Sequence, residues 1–245
     1  GSISFQYQSA ITVGCCIKNL KAADMNGDGK TDLVASGIVG GSKVLIRQSG
    51  AFSFNTTQLS NTQSDAWSLG LADLNADQLP EILIRAGSSG ALQVVPNLTQ
   101  SGTYSAGNPV NLSVSTNNTM VVPIADIDKD GRPDLIHYEH ISGLLTVFLN
   151  RVSGSMTSSS FLKKTTTIDN DSHWNLVVDD FDGDGVHEFV TGTSKNDAYV
   201  RSISLDSSGN LVAGSPITVN TGSNYAVAED LNGDGYKELV STTRH

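Results

Sequence analysis

Apolar residues along this chain come in short alternating runs and nowhere at the three-to-four spacing of a long amphipathic helix. Leu69 and Leu71, or Leu176 and Val178, place their side chains on one face only, as a half-buried strand does. A short acidic segment follows each such run. A continuous apolar stretch comes next: Leu33-Val34, Ile82-Leu83-Ile84, Leu135-Ile136, Phe189-Val190 and Leu239-Val240. Beyond a Gly/Ser-rich turn lies a third strand, as in Lys43-Val44-Leu45-Ile46, Leu92-Gln93-Val94-Val95, Leu145-Thr146-Val147-Phe148 and Tyr199-Val200-Arg201-Ser202-Ile203. A more polar fourth stretch, such as Phe54-Asn55-Thr56-Thr57-Gln58-Leu59, closes the unit. The pattern predicts an all-β chain.

The acidic segments are copies of one another. DMNGDGKTDLV from Asp24, DLNADQLPEIL from Asp73, DIDKDGRPDLI from Asp126, DFDGDGVHEFV from Asp180 and DLNGDGYKELV from Asp230 align without gaps, and their starts are 49, 53, 54 and 50 residues apart. Such a period holds four short strands and their turns, so the expected architecture is a β-propeller of about five four-stranded blades, one loop per blade, in a single domain over residues 1–245. Ser4-Phe5-Gln6-Tyr7-Gln8 reads as a fourth strand, and the chain stops after the second strand of the fifth unit. A closed ring would therefore mix both ends in its last blade and leave that blade without a third strand. The alternatives are a piece of a longer propeller, or homo-oligomeric association that protects the exposed edges.

The loops have the chemistry of a calcium site. Counted from the first Asp, position 1 is Asp24, Asp73, Asp126, Asp180 and Asp230. Position 3 is Asn26, Asn75, Asp128, Asp182 and Asn232, and position 5 is Asp28, Asp77, Asp130, Asp184 and Asp234. Position 9 is Asp32, Glu81, Asp134, Glu188 and Glu238. Position 7 (Lys30, Leu79, Arg132, Val186, Tyr236) shares no side chain, as expected where the backbone carbonyl is the ligand. Ca²⁺ takes six to eight oxygen ligands, which alternating short oxygen side chains supply around a sharp turn. Gly at position 6 allows that turn in four loops, and Gln78 makes the second loop the weakest candidate. Two carboxylates ~5 Å apart repel by about 3 kcal/mol at an effective dielectric near 20, and each loop gathers three or four acids. An EF-hand is excluded, because position 12 (Ala35, Ile84, His137, Thr191, Ser241) never offers its Glu and the flanks are strands.

Charge sharpens the picture. Of 25 acidic residues, 17 lie in the five loops, and five Ca²⁺ would offset the formal charge of −10. That charge argues against nucleic acid or an anionic membrane as partner, and no apolar run reaches the ~18 residues of a membrane span. Adjacent Cys15 and Cys16 read as small strand residues facing opposite ways.

The D-x-[DN]-x-D-G-x-x-[DE] loops at ~50-residue spacing resemble the FG-GAP or VCBS-type repeats of integrin α-subunit propellers, and are similar to repeats of a calcium-containing fungal lectin and of many secreted bacterial proteins. The resemblance covers almost the whole chain. It implies a propeller fold and calcium ligands at the loop positions named above; those families usually carry seven or eight blades.

In such a propeller the loops occupy one face. Six residues before each first Asp lie Lys18, Trp67, Met120, Trp174 and Asn224, which would ring the opposite mouth of the central channel. Trp67 and Trp174, beside Asp65 and His173, are candidates to stack on sugar rings or grip a partner side chain, together with Asn224 and Tyr225; the alternative is that both tryptophans pack between blades. Glu139, His140, Lys195 and Asn196 are candidate rim contacts. No nucleophile elbow, zincin helix or Cys/His zinc pattern occurs. The expected function is a non-catalytic, calcium-stabilised recognition module, lectin- or adhesin-like, extracellular or on a cell surface, binding carbohydrate or an extracellular protein. The competing expectations are an accessory domain of a larger secreted enzyme, such as a polysaccharide lyase, and a structural or engineered scaffold.

Overall fold

Every acidic loop joins two antiparallel strands in the computed structural model, which describes residues 10–243 apart from 12, 14–15, 38–40, 50–52, 64–65, 87–90, 115–122, 140–141, 169–172, 194–197, 220–222 and 236. The first sheet runs in order through β1 (Ile17–Ala23), β2 (Asp32–Gly37), β3 (Lys43–Arg47) and β4 (Phe54–Gln58). The second repeats it with β5 (Ala66–Ala72), β6 (Glu81–Ala86), β7 (Ala91–Val95) and β8 (Val110–Ser113). The third holds β9 (Ile124–Ala125), β10 (Asp134–Glu139), β11 (Leu144–Asn150) and β12 (Phe161–Thr167). In the fourth, β13 (His173–Asp179), β14 (His187–Thr193) and β15 (Ala198–Leu205) are followed by β16 (Leu211–Ala213) and β17 (Ile217–Val219), which share one edge of β15 as a broken fourth strand. The fifth sheet has two strands among the described residues, β18 (Ser223–Glu229) and β19 (Glu238–Thr243). Residues 1–9, expected to supply a fourth strand, lie outside the described residues.

Three apolar clusters bind the sheets in succession, and all are built alike. One face of the first sheet (Met25, Val34, Val44) packs on Leu69, Ile82, Ile84 and Val95 of the second. The same face of the second (Leu74, Leu83, Val94) packs on Leu135 and Phe148 of the third. Ile127, Ile136 and Val147 of the third meet Leu176, Phe189 and Ile203 of the fourth. Loop positions 2 and 11 of one sheet thus face position 10 and the first strand of the next, with position 12 (Ile84) added at the first seam. At loop position 2, Met25, Leu74 and Ile127 act as plugs into the following sheet. Contact of β18 with β13 and β14 joins the fifth sheet to the fourth, reinforced by Lys237 Nζ on Asp179 Oδ2 at 2.7 Å. Asp179, adjacent to a loop aspartate in sequence, is thereby committed to this seam.

Asparagine locks two of the seams. Asn97 Nδ2 donates to the Met25 carbonyl (2.9 Å) and Asn150 Nδ2 to the Leu74 carbonyl (2.8 Å). Each reaches from the end of its third strand to position 2 of the preceding loop. At the fourth sheet the corresponding residue is buried Ile203, so that seam closes by apolar contact.

Two expectations are corrected. Cys16 is not a strand residue: it precedes β1 with φ +61°, and its carbonyl abuts Gly37, where a Cβ would come within 2.7 Å. Cys15 lies outside the described residues. Glu139 is no rim contact either, because β10 carries it into the buried layer, where its carboxylate accepts a hydrogen bond from Ser142 Oγ at 2.7 Å.

Fully buried Arg85 and His137 share that layer with Glu139. Burial, reinforced by the positive charge of Arg85 and against the pull of Glu139, drives the His137 pKa down to about 3. His137 is therefore neutral in the fold and protonates more readily once unfolded, at its ordinary ~6.5. Its contribution is complete above that value and declines as pH falls from ~6.5 toward 3. Urea midpoints between neutral and mildly acid pH should fall more steeply for the wild type than for His137→Gln; parallel curves would refute the burial cost. Asn150→Ala, which strands the Leu74 carbonyl and the Val152 N–H (2.9 Å from Asn150 Oδ1), should cost about 2–3 kcal/mol by urea denaturation.

Candidate functional site

The backbone of each loop is wrapped around its carboxylates at positions 1 and 5. Asp24 accepts the N–H groups of Gly27 (2.7 Å) and Asp28 (3.2 Å) on Oδ1 and that of Gly29 (2.7 Å) on Oδ2. Asp73, Asp126, Asp180 and Asp230 take the equivalent position-6 N–H at 2.8–3.0 Å. The position-5 carboxylate in turn accepts the N–H of position 7, as in Asp28 with Lys30, Asp77 with Leu79, Asp130 with Arg132, and Asp184 with Val186. Tyr236 lies outside the described residues. Positions 4 and 6 both adopt left-handed backbone: Gly27 and Gly29, Ala76 and Gln78, Lys129 and Gly131, Gly183 and Gly185, Gly233 and Gly235. The repeated glycine at position 6 announces half of this. Gly27, Gly183 and Gly233 at position 4 are the signal for the other half.

Position 9 anchors the loop. One oxygen of Asp32, Glu81, Asp134, Glu188 or Glu238 accepts the N–H of position 2 (Met25, Leu74, Ile127, Phe181, Leu231) at 2.8–3.0 Å. The other oxygen of Asp32 and Asp134 accepts an N–H of the third strand, from Arg47 and Asn150, both at 2.7 Å. Burial raises these acids, and the neighbouring loop aspartates raise them further against the backbone hydrogen bonds: Glu81 to about 7, Asp134 to about 6, with Asp32 and Glu188 shifted the same way. At the exposed end of the loops the direction reverses. The Lys30 ammonium lowers Asp28, and the N–H groups of Gly233 and Gly235 lower Asp230.

Carboxylate oxygens of positions 1, 3 and 9 converge within 4.8 Å of one another in loop three (Asp126, Asp128, Asp134) and loop four (Asp180, Asp182, Glu188). Asp128 Oδ1 is buried and meets no hydrogen-bond donor. The donor set is all oxygen, the kind a hard divalent cation selects. Arg151 lies across the outer side of loop three, paired with Asp128 and, at 2.9 Å, with Asp130. Loop one is tied to the connection between β7 and β8, where the Gly102 carbonyl accepts Asn26 Nδ2 at 3.0 Å. A cleft of about 450 Å³ separates loops one and two, lined by Asp24, Asn26, Asp77, Gln78, Thr99 and Ser101. Neither the asparagine locks nor this cleft is announced by the repeat, since both depend on residues outside it.

The opposite end of the sheets has a regular feature of its own. In four sheets the pairing of the first strand with its neighbour slips by one residue at the same place: between Ile17 and Asn19, Ala66 and Ser68, His173 and Asn175, and Ser223 and Tyr225. The residues extruded from the ladder are Lys18, Trp67, Trp174 and Asn224, the positions six before each loop. Met120, the counterpart in the third sheet, lies outside the described residues, as do Asp65, His140, Lys195 and Asn196. For Trp67, His173, Trp174, Asn224 and Tyr225 the backbone places them at the starts of β5, β13 and β18.

Solved structures share this architecture. BBS1N in complex with ARL6DN, soaked with lead, superposes with a TM-score of 0.54 at 14% identity, over 88% of this chain and 60% of that one. The same complex soaked with mercury gives 0.53 at 12% identity, over 91% of this chain and 75% of that one. The chain thus spans less than two thirds of the first structure's length. No curated protein matches it. The FG-GAP-like repeat matches residues 24–84, 73–137 and 180–241, together more than half of the sequence. The chain belongs to the FG-GAP-like repeat family, and its sheets are blades of a β-propeller.

Proposed function

We propose that the chain is a calcium-stabilised recognition module, extracellular or cell-surface, that holds a protein or carbohydrate partner on the face away from the acidic loops. The observation that carries the recognition reading is the row of bulges at Lys18, Trp67, Trp174 and Asn224. A bulge weakens its own ladder and re-aims the extruded residue, so one recurring at an equivalent place in four blades fits a surface kept for contact. Propellers of this fold hold proteins, as BBS1N does with ARL6DN. A non-catalytic role is supported by three of the described acids outside the loops: Glu139, Asp179 and Asp206 accept structural hydrogen bonds from Ser142, Lys237 and Asn210.

Calcium is supported by the converging oxygens of loops three and four and by the bare Asp128 Oδ1. Ligands would come from positions 1, 3, 5 and 9 and the position-7 carbonyl. Ca²⁺ at about ten times its Kd adds ~1.4 kcal/mol per site, hence ~7 kcal/mol for five independent sites. For a chain of this size, removing it with a chelator should lower the melting temperature by roughly 15–25 °C. An unchanged melt would refute the structural role.

The recognition reading is tested on a glycan array and against candidate protein ligands, with Trp67→Ala/Trp174→Ala beside the wild type. Loss of at least about tenfold in affinity with an unaltered melting curve is the expected result. A double variant that binds like the wild type removes the bulge face from recognition.

A further inference from the structure

Loops three and four carry four acids each, because position 3 is aspartate there (Asp128, Asp182) and asparagine in the other loops. In those other loops a side-chain donor sits among the acids. Asn75 Nδ2 donates to Asp77 (3.0 Å) and Glu81 (3.4 Å), Asn232 Nδ2 donates to Glu238 at 2.8 Å, and Lys30 Nζ lies 2.9 Å from Asp28. Loop three lacks the amide and takes its donors from outside the repeat. Arg151, one residue beyond β11, lays its guanidinium across positions 3 and 5, with Nη2 on Asp128 and Nη1 on Asp130 at 2.9 Å. Nη1 also donates to the Asn150 carbonyl at 2.9 Å, which ties the fork to the residue that locks the seam with the second sheet. Loop four is met differently. Among the described residues its four acids accept only backbone N–H groups, and no basic side chain pairs with any of them. Lys129 reaches toward this loop, its Nζ 3.6 Å from where a Cβ on Gly185 would lie, without pairing to an acid.

We propose that Arg151 is the resident counter-ion of loop three: it holds that loop closed without a divalent cation, and it leaves loop four as the loop whose closure waits on one. The second half rests on the calcium reading above; the first does not. A planar fork that reaches two carboxylates at once fixes their spacing, which a single ammonium cannot do. Asp128 meets it with Oδ2 and keeps Oδ1 without a donor. The fork therefore leaves loop three able to take an ion while it reduces the repulsion that an ion would relieve. Loop three sets Ile127 into the seam with the fourth sheet, and that plug is held by the chain's own charge. Loop four joins β13 to β14, the strands that meet β18, so a cation there acts on the seam with the fifth sheet.

The experiment is amide hydrogen exchange on the full chain, in excess chelator and in excess calcium, below the melting temperature of the chelated protein. It follows two equivalent groups, the Ile127 N–H on Asp134 and the Phe181 N–H on Glu188. In chelator, Ile127 of the wild type should exchange at least about tenfold more slowly than Phe181. Calcium should slow Phe181 by at least about tenfold and Ile127 by less than about threefold. Arg151→Gln should bring Ile127 to the rate of Phe181 in chelator, and calcium should then slow it by about tenfold. Arg151→Lys, which keeps the charge and loses the fork, should retain part of the protection. A chelated wild type in which both groups exchange alike overturns the proposal, as does an Arg151→Gln variant whose Ile127 stays as slow as the wild type's. Calcium that slows Ile127 as much as Phe181 in the wild type overturns the loop-four half. Calcium that slows neither group in either protein removes the calcium reading and the loop-four half with it, while the chelator comparison still decides the role of Arg151.

Discussion

The buried carboxylate at loop position 9 is the constraint on which the other features hang. Asp32, Glu81 and Asp134 are inaccessible to water, and each spends an oxygen on the N–H of position 2. That bond sets the turn so that the position-2 side chain leaves the loop toward the next blade and its carbonyl faces the arriving asparagine. Where the second oxygen reaches the third strand, through Arg47 or Asn150, the loop is also tied across its own sheet. Loop, blade and seam are therefore held by one side chain. An isolated charge in such a place is costly, and burial accordingly raises the pKa of Glu81 and Asp134. The same acids that organise the blade are the ones that would face the proposed cation.

Much of this was legible in the sequence because it recurs. Five aligned loops and the strand periods around them were enough for an all-β propeller with one acidic loop per blade, and the position-9 acid stood out by its invariance. Its double hydrogen bonding did not, since the partner N–H groups belong to any residue. Position 2 is apolar in every copy (Met25, Leu74, Ile127, Phe181, Leu231), so the plug could have been read from the alignment. The asparagine locks could not, because Asn97 and Asn150 stand where other blades have Arg47 and Ile203, and only the pairing of blades explains the choice. The position six before the loop was legible only as a strand entry. The bulge that singles it out is a property of strand pairing, and no alternation pattern contains it. Glu139 misled for a related reason: a lone acid near a predicted turn reads as solvent-facing, yet β10 extends through it and buries it beside Arg85 and His137.

Loop two shows how far the fold overrides local preference. Ala76 and Gln78 hold φ +62° and +72°, where loops one, four and five have glycine at both positions. Left-handed backbone costs a residue with a Cβ roughly 1–2 kcal/mol. The loop nevertheless keeps its pattern, with Gln78 N–H on Asp73 at 2.8 Å and Leu74 N–H on Glu81 at 2.8 Å. Loop three does the same with Lys129 at φ +59°. Both departures from glycine occur where the position-9 carboxylate is wholly buried and a blade packs on each side. Leu74 and Ile127 are then fixed as plugs, and their seams offset the strain. Among the described residues no blade packs beyond loop five, and its acid is only partly covered; there both glycines are present, and the turn forms without strain. The loop furthest from the consensus in sequence is thus among the most firmly held in structure.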